Sequence, residues 1–460
     1  MLRNSFSSEN LIKIFYNENR KGNFVEGKYF PSLNTYTRKI TDINSEIKDW
    51  RKRYESGLIS KESFYEFKDK KYLDKVEVLK EKQSKIRELI QEVIENISKD
   101  DFELEVLNNF DIAGKPIYTL RNNAENFLTL KQLQQNLRNS FKIQQSNRFE
   151  IVNQLANILA DNFPKYIIRT DLQEFYESIP IERLKKKINN NSLLGFSTKK
   201  HLWKIISDYK TLSGNDNGIP RGIGVSAFLS ELYMKDIDNS IRSLNGVTYY
   251  ARYVDDIIII FTPESLLETN DYFDKIKKIV ETDNGLSLHP VGSGKTNLYD
   301  IISSPSGTVT YLGYSFRLST NSVKIKLSNN KKNKYKSRID SMLQSYNTES
   351  KYDEKQARSI LIKRLKFLTG NTRLLNVKKN VLVGVYFSNS LLNTYEDFSG
   401  LDNYLNHKLN SSLNPYNKLP VNLPRLKNRL AKYKFVEGFK EKRFHRFSKS
   451  ELEEIMKIWK

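Results

Sequence analysis

Apolar residues at helical spacing dominate the first part of the chain. Between residues 64 and 97 they recur every three or four positions, with acids and bases alternating on the other faces. The apolar positions are Val76, Leu79, Ile86, Leu89, Ile90, Val93 and Ile97. The pattern predicts an amphipathic helix packed on a neighbouring helix, and contact with an RNA or protein partner is the alternative interpretation. We expect residues 1–105 to form a helical N-terminal extension.

The pattern changes to short β-type runs between residues 106 and 325. β-Branched and aromatic residues cluster in YIIRTDL, VTYYARYV, DIIIIFT and VTYLGYSF, separated by helical stretches and glycine-bearing turns. From residue 326 onwards, a basic run, LSNNKKNKYKSRIDSML, leads into further helical segments such as ARSILIKRLKFL. These patterns predict an α+β protein in three parts, with boundaries at 1–105, 106–325 and 326–460.

The charge balance adds a candidate partner to this picture. The chain has 76 Lys and Arg residues against 54 Asp and Glu residues, a formal net charge of +22. Such an excess favours a nucleic acid as the partner, while a membrane surface or a solvated lysine-rich surface are the alternatives. The chain contains no cysteine, which excludes disulfides, thiolate catalysis and cysteine-type zinc sites.

The apolar segments give no sign of a membrane partner. IIIIF and VLVGVYF are too short to cross a bilayer, and the first residues contain no apolar segment of signal-peptide length. We therefore expect a cytoplasmic protein.

Three aspartates are the candidate ligands of a metal site. Asp255 and Asp256 stand between two β-type runs, where adjacent carboxylates repel each other unless a cation neutralises them. Mg²⁺ is the obvious cation because it prefers oxygen ligands. A two-metal site needs another carboxylate from a different strand, and Asp171, at the end of YIIRTD, is the candidate. This arrangement is suited to phosphoryl transfer.

At these residues the sequence resembles the reverse transcriptases. Asp171 with its Phe-Tyr-x-Ser-Ile continuation is similar to their first catalytic motif, and residues 253–256 are similar to their Tyr-x-Asp-Asp box. Residues 218–238 resemble the segment in which a Pro-Gln-Gly turn leads into a helix. Residues 285–296 and 309–316 resemble the lysine-bearing motif and the primer-grip hairpin. The resemblance implies a right-hand polymerase with fingers, an antiparallel palm sheet and a helical, thumb-like C-terminal domain.

The resemblance also implies the roles of the metal-site residues. Asp171 and Asp255 would hold two Mg²⁺ ions, for which Mn²⁺ could substitute, and Asp256 would support the pair. Leu172 is assigned to the same metal site. Lys295 would supply a proton or a charge to the leaving pyrophosphate.

Nucleotide contacts are implied for a further set of residues. Tyr176 occupies the position of the family's steric gate, which disfavours ribonucleotides, and Phe175 precedes it. Gly222 would let the backbone approach the incoming nucleotide. Arg221 stands where the family usually has Gln, a departure that affects template handling and substrate preference because Arg cannot accept a hydrogen bond. Lys142 and Arg148 are the candidates for the triphosphate.

Nucleic-acid contacts are expected from the tyrosine-bearing hairpins and from the C-terminal part. The residues assigned to the primer or nucleic acid are Tyr253, Tyr311, Leu312, Gly313 and Tyr314. The basic residues placed to meet a duplex backbone are Lys331, Lys332, Lys334, Lys336 and Arg338.

The segments QSNRFEIVNQL, FYESIP and RLKFLTGNTRLLNVKKNVLVGVYFSNSLLN resemble bacterial antiphage defence reverse transcriptases of the abortive-infection and unknown-group lineage. NENRKG and LTGNTRL suggest the smaller enzyme of a two-reverse-transcriptase system. The partners implied are a non-coding RNA template, the DNA product, deoxynucleotides, a second reverse transcriptase subunit and a homo- or hetero-oligomeric assembly.

Three functions follow from this resemblance. The leading one is RNA-directed DNA synthesis by two-metal phosphoryl transfer in antiviral defence against phage. Untemplated or protein-primed DNA synthesis at the same site is the first alternative. A catalytically silent RNA-binding scaffold is the second, and the intact aspartates argue against it.

Overall fold

The computed structural model describes residues 4–112, 114–161, 163–262, 271–301, 306–319, 322–374, 381–413 and 422–459. Its helices, numbered along the chain, are α1 (Ser8–Arg20), α2 (Val25–Tyr29), α3 (Asn34–Glu55), α4 (Lys61–Ser98), α5 (Ala124–Phe141), α6 (Arg148–Leu159), α7 (Phe175–Ser178), α8 (Ile181–Asn189), α9 (Phe196–Ser213), α10 (Ser226–Arg242), α11 (Tyr272–Lys277), α12 (Asn329–Glu349), α13 (Glu354–Thr369), α14 (Glu396–Ser411), α15 (Asn422–Leu430), α16 (Phe435–Lys440) and α17 (Lys449–Met456). Shorter pieces are the 3₁₀ helices Pro31–Leu33 and Lys457–Trp459 and the π-helix Lys278–Thr282.

The strands are β1 (Val106–Ile112), β2 (Lys115–Leu120), β3 (Tyr166–Asp171), β4 (Val247–Tyr253), β5 (Asp256–Phe261), β6 (Asn297–Asp300), β7 (Gly307–Tyr311), β8 (Tyr314–Ser319), β9 (Ser322–Leu327), β10 (Asn371–Leu374) and β11 (Val381–Gly384). All strand pairings between them are antiparallel. Helices and antiparallel sheets together confirm the α+β class.

The chain divides into two compact units. The first contains residues 1–145 and 174–236, and the second contains residues 146–173 and 237–460. The division falls inside α10, so this helix contributes residues to both units.

The first unit is mainly helical and has its own apolar core. Side chains of α1 and α4 meet there, among them Leu11, Phe15, Ile86 and Ile90, all nearly inaccessible to solvent. The predicted amphipathic helix over residues 64–97 is confirmed within α4, which begins after Ser60, whose hydroxyl accepts a hydrogen bond of 3.1 Å from the Ser63 N–H.

A four-stranded antiparallel sheet lies in the second unit, in the order β4-β5-β3-β6. The central strand β5 is buried on both faces, since every side chain from Ile257 to Phe261 has 0% exposure. A continuous β-branched run is suited to such a position because it packs against neighbours on both sides. The strands predicted from YIIRTDL, VTYYARYV and DIIIIFT are confirmed in this sheet.

The rest of the second unit combines a three-stranded sheet, β7-β8-β9, with the C-terminal helices. One apolar core joins α6, the two sheets and α12 to α16. VTYLGYSF forms the β7–β8 hairpin, as predicted. The C-terminal part is largely helical, but it also contains the small hairpin β10–β11, which the sequence pattern did not predict.

Candidate active site

The acidic pair lies at a tight hairpin between β4 and β5. Tyr253 pairs with Asp256, so Val254 and Asp255 form the two-residue loop. Val254 has a φ of 63°, a left-handed conformation that β-branched residues rarely adopt. A strained backbone of this kind persists where its surroundings hold it in place.

Asp171 lies beside this hairpin, at the end of β3. It is the direct antiparallel partner of Asp256, and side chains in such positions have Cβ atoms about 4.5–5.5 Å apart. The Leu172 N–H donates to the Asp255 carbonyl at 3.2 Å, and the His289 N–H donates to the Asp171 carbonyl at 3.0 Å. The three aspartates named from the sequence are therefore brought together at one end of the sheet.

Two cationic side chains accompany the aspartates. The Lys295 Nζ lies 2.5 Å from Oδ2 of Asp171, and the Arg169 Nε lies 3.4 Å from Oδ1 of Asp256. Burial raises the pKa of Asp256 to about 6; Arg169 opposes this rise, and the negative charges of Asp171 and Asp255 add to it. The hydrogen bond to Asp171 is the main cause that raises the pKa of Lys295.

One carboxylate oxygen at this site lacks a partner. Oδ1 of Asp171 is buried, and within the described part of the chain no donor reaches it. Carboxylate oxygens are hard ligands suited to Mg²⁺, which proteins commonly hold through one or two carboxylates together with water and substrate phosphates. Among the described residues, no three carboxylate or imidazole groups come close enough to hold an ion by themselves. The donor set therefore fits an ion shared with a bound nucleotide.

A buried ion pair between Arg252 and Asp238 holds the hairpin in place. Arg252 donates two hydrogen bonds of 2.9 Å to the carboxylate of Asp238 on α10, and its Nη1 donates to the Val254 carbonyl at 2.8 Å. Tyr250 adds a hydrogen bond of 2.6 Å to Asp238. The sequence interpretation missed this network, although an arginine inside an apolar strand, directly before the acidic box, was a signal for it.

Tyr311, expected near the primer, is fully buried below the same hairpin. Its hydroxyl donates a hydrogen bond of 2.8 Å to the Asp256 carbonyl, and burial raises its pKa well above the ordinary value. The loop that follows contains Leu312 and Gly313, both with positive φ (45° and 75°), as a two-residue type I′ turn requires. The ring of Tyr311 thus supports the acidic hairpin, while the next two residues form the loop.

Arg148 lies at this loop. Its guanidinium donates hydrogen bonds to the Leu312 carbonyl, one of them 3.2 Å long from Nε, and lies 5.7 Å from the centre of the Tyr314 ring. Lys331 approaches the same ring at 5.0 Å and donates to the Ser388 carbonyl at 2.9 Å. Burial, with the nearby charge of Arg148, lowers the pKa of Lys331 to about 8.

The other basic residues of α12 are partly engaged within the second unit. Lys332 pairs with Asp397 at 3.3 Å, and Lys336 lies over the Tyr404 ring at 5.2 Å. Arg338 lies over the Trp459 ring at 5.4 Å. Their assignment to a duplex backbone stays a prediction.

Several residues assigned to the nucleotide belong to the first unit. The side chain of Arg221, which stands in place of the family's Gln, donates hydrogen bonds of 3.0 and 3.1 Å to Glu177 and lies 5.4 Å from the Tyr176 ring. Phe175 is buried, with 2% exposure, and its ring lies 5.5 Å from that of Tyr176. Lys142 is exposed at the left-handed C-cap of α5. Their nucleotide contacts stay predictions.

Gly222 has a structural requirement of its own in this unit. Its φ is 101°, and an added Cβ would lie 2.6 Å from the Tyr118 carbonyl oxygen. The Tyr118 N–H donates to the Arg221 carbonyl at 2.8 Å, so β2 runs directly against this turn. A close approach to the protein's own backbone therefore explains the glycine, besides the nucleotide approach expected from the sequence.

Part of the chain matches a known protein family. Residues 118–316 match the family "Reverse transcriptase (RNA-dependent DNA polymerase)". The matched segment, less than half of the chain, includes all three aspartates and Lys295. The match indicates an RNA-directed DNA polymerase, a nucleotidyltransferase, and confirms the enzyme class expected from the sequence.

Solved structures similar to the chain include three structures of telomerase from two Candida species. Apo telomerase from Candida tropicalis, truncated from its C-terminal domain, has 15% identity and a TM-score of 0.37, covering 50% of this chain and 56% of that chain. Candida albicans telomerase, in complex with a TWJ fragment of telomeric RNA, has 14% identity, a TM-score of 0.30 and coverages of 72% and 56%. Apo telomerase from Candida tropicalis has 11% identity, a TM-score of 0.34 and coverages of 78% and 64%.

The chain spans less than two thirds of the length of each of these telomerases. No curated protein matches the sequence. Among the described residues, no helix is both long enough and apolar enough to cross a membrane.

Proposed function

We propose that the protein copies RNA into DNA at the site formed by Asp171, Asp255 and Asp256. One observation carries the proposal: Asp171 and Asp256 are direct partners on adjacent strands, with Asp255 in the adjoining loop, inside the segment that matches reverse transcriptases. Phosphoryl transfer depends on positioning and charge neutralisation, and three converging carboxylates are suited to both.

Asp171 and Asp255 would hold two Mg²⁺ ions, with Mn²⁺ as a substitute and with Asp256 and Leu172 beside them. When bound, the ions supply Lewis-acid stabilisation and a template for the reacting oxygens. The unpartnered Oδ1 of Asp171 supports this assignment. Lys295 supplies a positive charge at the same carboxylate, from which its ammonium can reach the leaving pyrophosphate.

The remaining residues divide into two groups by their expected contacts. Tyr176 excludes the 2′-hydroxyl of a ribonucleotide, and Lys142, Phe175, Arg221 and Gly222 contribute to nucleotide binding. Tyr253 and the loop at Leu312 and Gly313 contact the primer. Because Arg148 is bonded to the Leu312 carbonyl, we assign it to the orientation of this loop as well as to the triphosphate.

We assign the subdomains of a right-hand polymerase to three parts of the chain. Residues 106–325 would form the fingers and palm, with β4-β5-β3-β6 as the palm sheet. Residues 326–460 would act as the thumb, and residues 1–105 as the helical extension. The α+β architecture and the antiparallel sheet support this assignment.

The biological role we propose is antiphage defence in the bacterial cytoplasm. It rests on the resemblance of residues 145–155, 175–180 and 364–393 to abortive-infection and unknown-group enzymes. A non-coding RNA would be the template, and a second reverse transcriptase subunit or further copies of the chain would complete the assembly.

Sequencing of the DNA product tests the proposal against its main alternative. The purified protein is incubated with deoxynucleotides and Mg²⁺, and both the product and any co-purifying RNA are sequenced. A product complementary to that RNA supports templated synthesis. A product with no complement would instead indicate untemplated or protein-primed synthesis. If defence against phage persisted in a strain carrying Asp255→Ala with Asp256→Ala, the scaffold function would replace both.

A further inference from the structure

A cavity of about 510 Å³ lies between α1 and α4 of the first unit, a part of the chain outside the matched family segment. Its lining residues are Ile12, Lys13, Tyr16, Asn17, Arg20, Gln83, Ile86 and Arg87. The volume falls in the ordinary range for small-molecule sites, roughly 300–1,000 Å³. A nucleotide-sized group can therefore enter it.

Three cations line this cavity. Lys13, Arg20 and Arg87 form no ion pair with any carboxylate in the described part of the chain. The acid whose charge acts on Tyr16, Glu26, is already paired with Lys82 at 2.6 Å. Uncompensated cations gathered around one concave site attract an anion, and guanidinium groups match phosphate oxygens in particular.

The other side chains are suited to the remainder of a nucleotide. Tyr16 lines the cavity and is 39% exposed, so its ring can accept a stacked base. Ile12 provides apolar surface beside it, while Asn17 and Gln83 provide amides that can bond a base edge or a sugar. Asn17 also orients Arg20, whose Nη2 donates to its Oδ1 at 2.5 Å.

We propose that this cavity binds one unpaired nucleotide of a single-stranded RNA. The three cations hold the phosphates on either side of that nucleotide, and its base stacks on Tyr16. A base within a duplex could not reach the ring, whereas single-strand binders combine aromatic platforms with a basic path in this way. The helical extension is thus an RNA-binding element; its site belongs to the first unit, whereas the polymerase carboxylates belong to the second.

Fluorescence anisotropy of a short labelled oligouridine, added to the full chain without deoxynucleotides, tests the inference. Arg20→Gln with Arg87→Gln is compared with Arg51→Gln and Arg53→Gln, two exposed arginines of α3 that lose the same charge. We expect about tenfold weaker binding for the cavity variant, and a slope of log affinity against log salt shallower by about 1.4 for two lost phosphates. Less than twofold weakening is expected for the α3 variant.

Tyr16→Leu separates stacking from charge. It should weaken binding by about tenfold while leaving the salt slope unchanged, because one stacked base is lost and no phosphate contact changes. A 4-thiouridine in the oligonucleotide should cross-link to peptides of α1 or α4 in the wild-type chain, and the cavity variants should lose that cross-link.

Three results would overturn the proposal. Equal binding by the cavity and α3 variants would show a general charge effect. Displacement of the RNA by a free mononucleotide at similar concentration would indicate a small-molecule site, and displacement by polyglutamate would indicate an acidic protein partner. Because no nucleotide is incorporated in these assays, a failure here is independent of a failure of the polymerase assignment.

Discussion

Arg252 donates a hydrogen bond to Val254, two residues further along the acidic hairpin, with 2.8 Å between its Nη1 and the carbonyl oxygen. Val254 holds a left-handed φ of 63°, and the loop it shares with Asp255 directly precedes Asp256. Since the other nitrogens of Arg252 are bonded to Asp238, α10 and the hairpin are fixed to each other. Arg252 is therefore a positioning residue for the candidate carboxylates.

Replacing Arg252 with Met should reduce primer extension by about 10- to 100-fold, because a displacement of about 1 Å in the reacting groups has an effect of that size. The single change leaves the buried Asp238 without its partner, which is destabilising in itself. Arg252→Met combined with Asp238→Asn removes that charge and keeps an acceptor for Tyr250. Stability by thermal unfolding should recover in this double variant, while kcat should stay low.

Tyr250→Phe is the matched control for this network. It removes one hydrogen bond to Asp238 and leaves the bond between Arg252 and Val254 in place. Its kcat should fall less than twofold. Full recovery of kcat in the Arg252→Met, Asp238→Asn double variant would mean that Arg252 contributes only to stability and does not position the carboxylates.

The ring of Tyr176 should determine the choice of sugar. Tyr176→Ala should raise the ratio of ribonucleotide to deoxynucleotide kcat/KM by about tenfold or more, because the group that rejects the 2′-hydroxyl is gone. Single-nucleotide incorporation on an RNA template measures both values. Tyr72→Ala, at an exposed tyrosine of α4, controls for loss of an aromatic ring. An unchanged ratio would assign Tyr176 to packing with Phe175 and Arg221.

His201 should make the first unit less stable in mild acid. Burial lowers its pKa to about 4 from 6.5, and the rings of Phe6 and Phe102 lie 5.5 and 5.7 Å from it. The unfolded chain therefore binds the proton more readily, and the stability that the neutral imidazole provides above pH 6.5 is lost as the pH falls towards 4. Between pH 7.5 and pH 5 we expect a loss of about 2 kcal/mol.

Urea unfolding at these two pH values measures this loss. His201→Leu should remove about 2 kcal/mol from the pH dependence, and His407→Leu, at an exposed histidine of α14, should not. The same pH dependence in wild type and His201→Leu would contradict the prediction.

Gly222 should tolerate no side chain. Gly222→Ala places a Cβ 2.6 Å from the Tyr118 carbonyl oxygen at a φ of 101°, and we expect a loss of about 2–3 kcal/mol. Gly57→Ala is the control, since its φ is 74° but its Cβ would meet no described atom within 4 Å. It should lose about 1 kcal/mol from the left-handed backbone alone. Urea unfolding measures both losses. An equal loss of unfolding free energy in the two variants would show that β2 moves away from the added Cβ at no cost.

Local patterns predicted the elements that carry the candidate site. The β-branched runs around Asp171 and Asp256 form adjacent strands, as predicted, because β-branched side chains pack well in a buried sheet. The hairpin at Leu312 and Gly313 was predicted from the resemblance of residues 309–316 to the family's primer-grip hairpin. The meeting of two strands at Asp255 and Asp256 was predicted from the β-type runs on either side of the pair, and the place of Asp171 beside them from the need of a two-metal site for another carboxylate.

The contacts that orient the site could not be predicted from the sequence. Lys295 and Asp171 are 124 positions apart, and the pairing of Arg252 with Asp238 depends on how α10 packs against β4. Tyr311 was assigned to the primer on its motif alone, whereas burial directs its hydroxyl to the Asp256 carbonyl. Partners of this kind are decided by tertiary packing, which a motif does not specify.

The most direct test compares Mg²⁺-dependent primer extension on an RNA template by the wild type and by Asp171→Asn. The variant keeps the size of the side chain but removes the negative charge of Asp171. The activation free energy should therefore rise by about 4 kcal/mol, which lowers the extension rate about a thousandfold. Asp300→Asn, at an exposed acid where β6 pairs with the other end of β3, should retain the wild-type rate. A wild-type rate in Asp171→Asn would contradict the central claim.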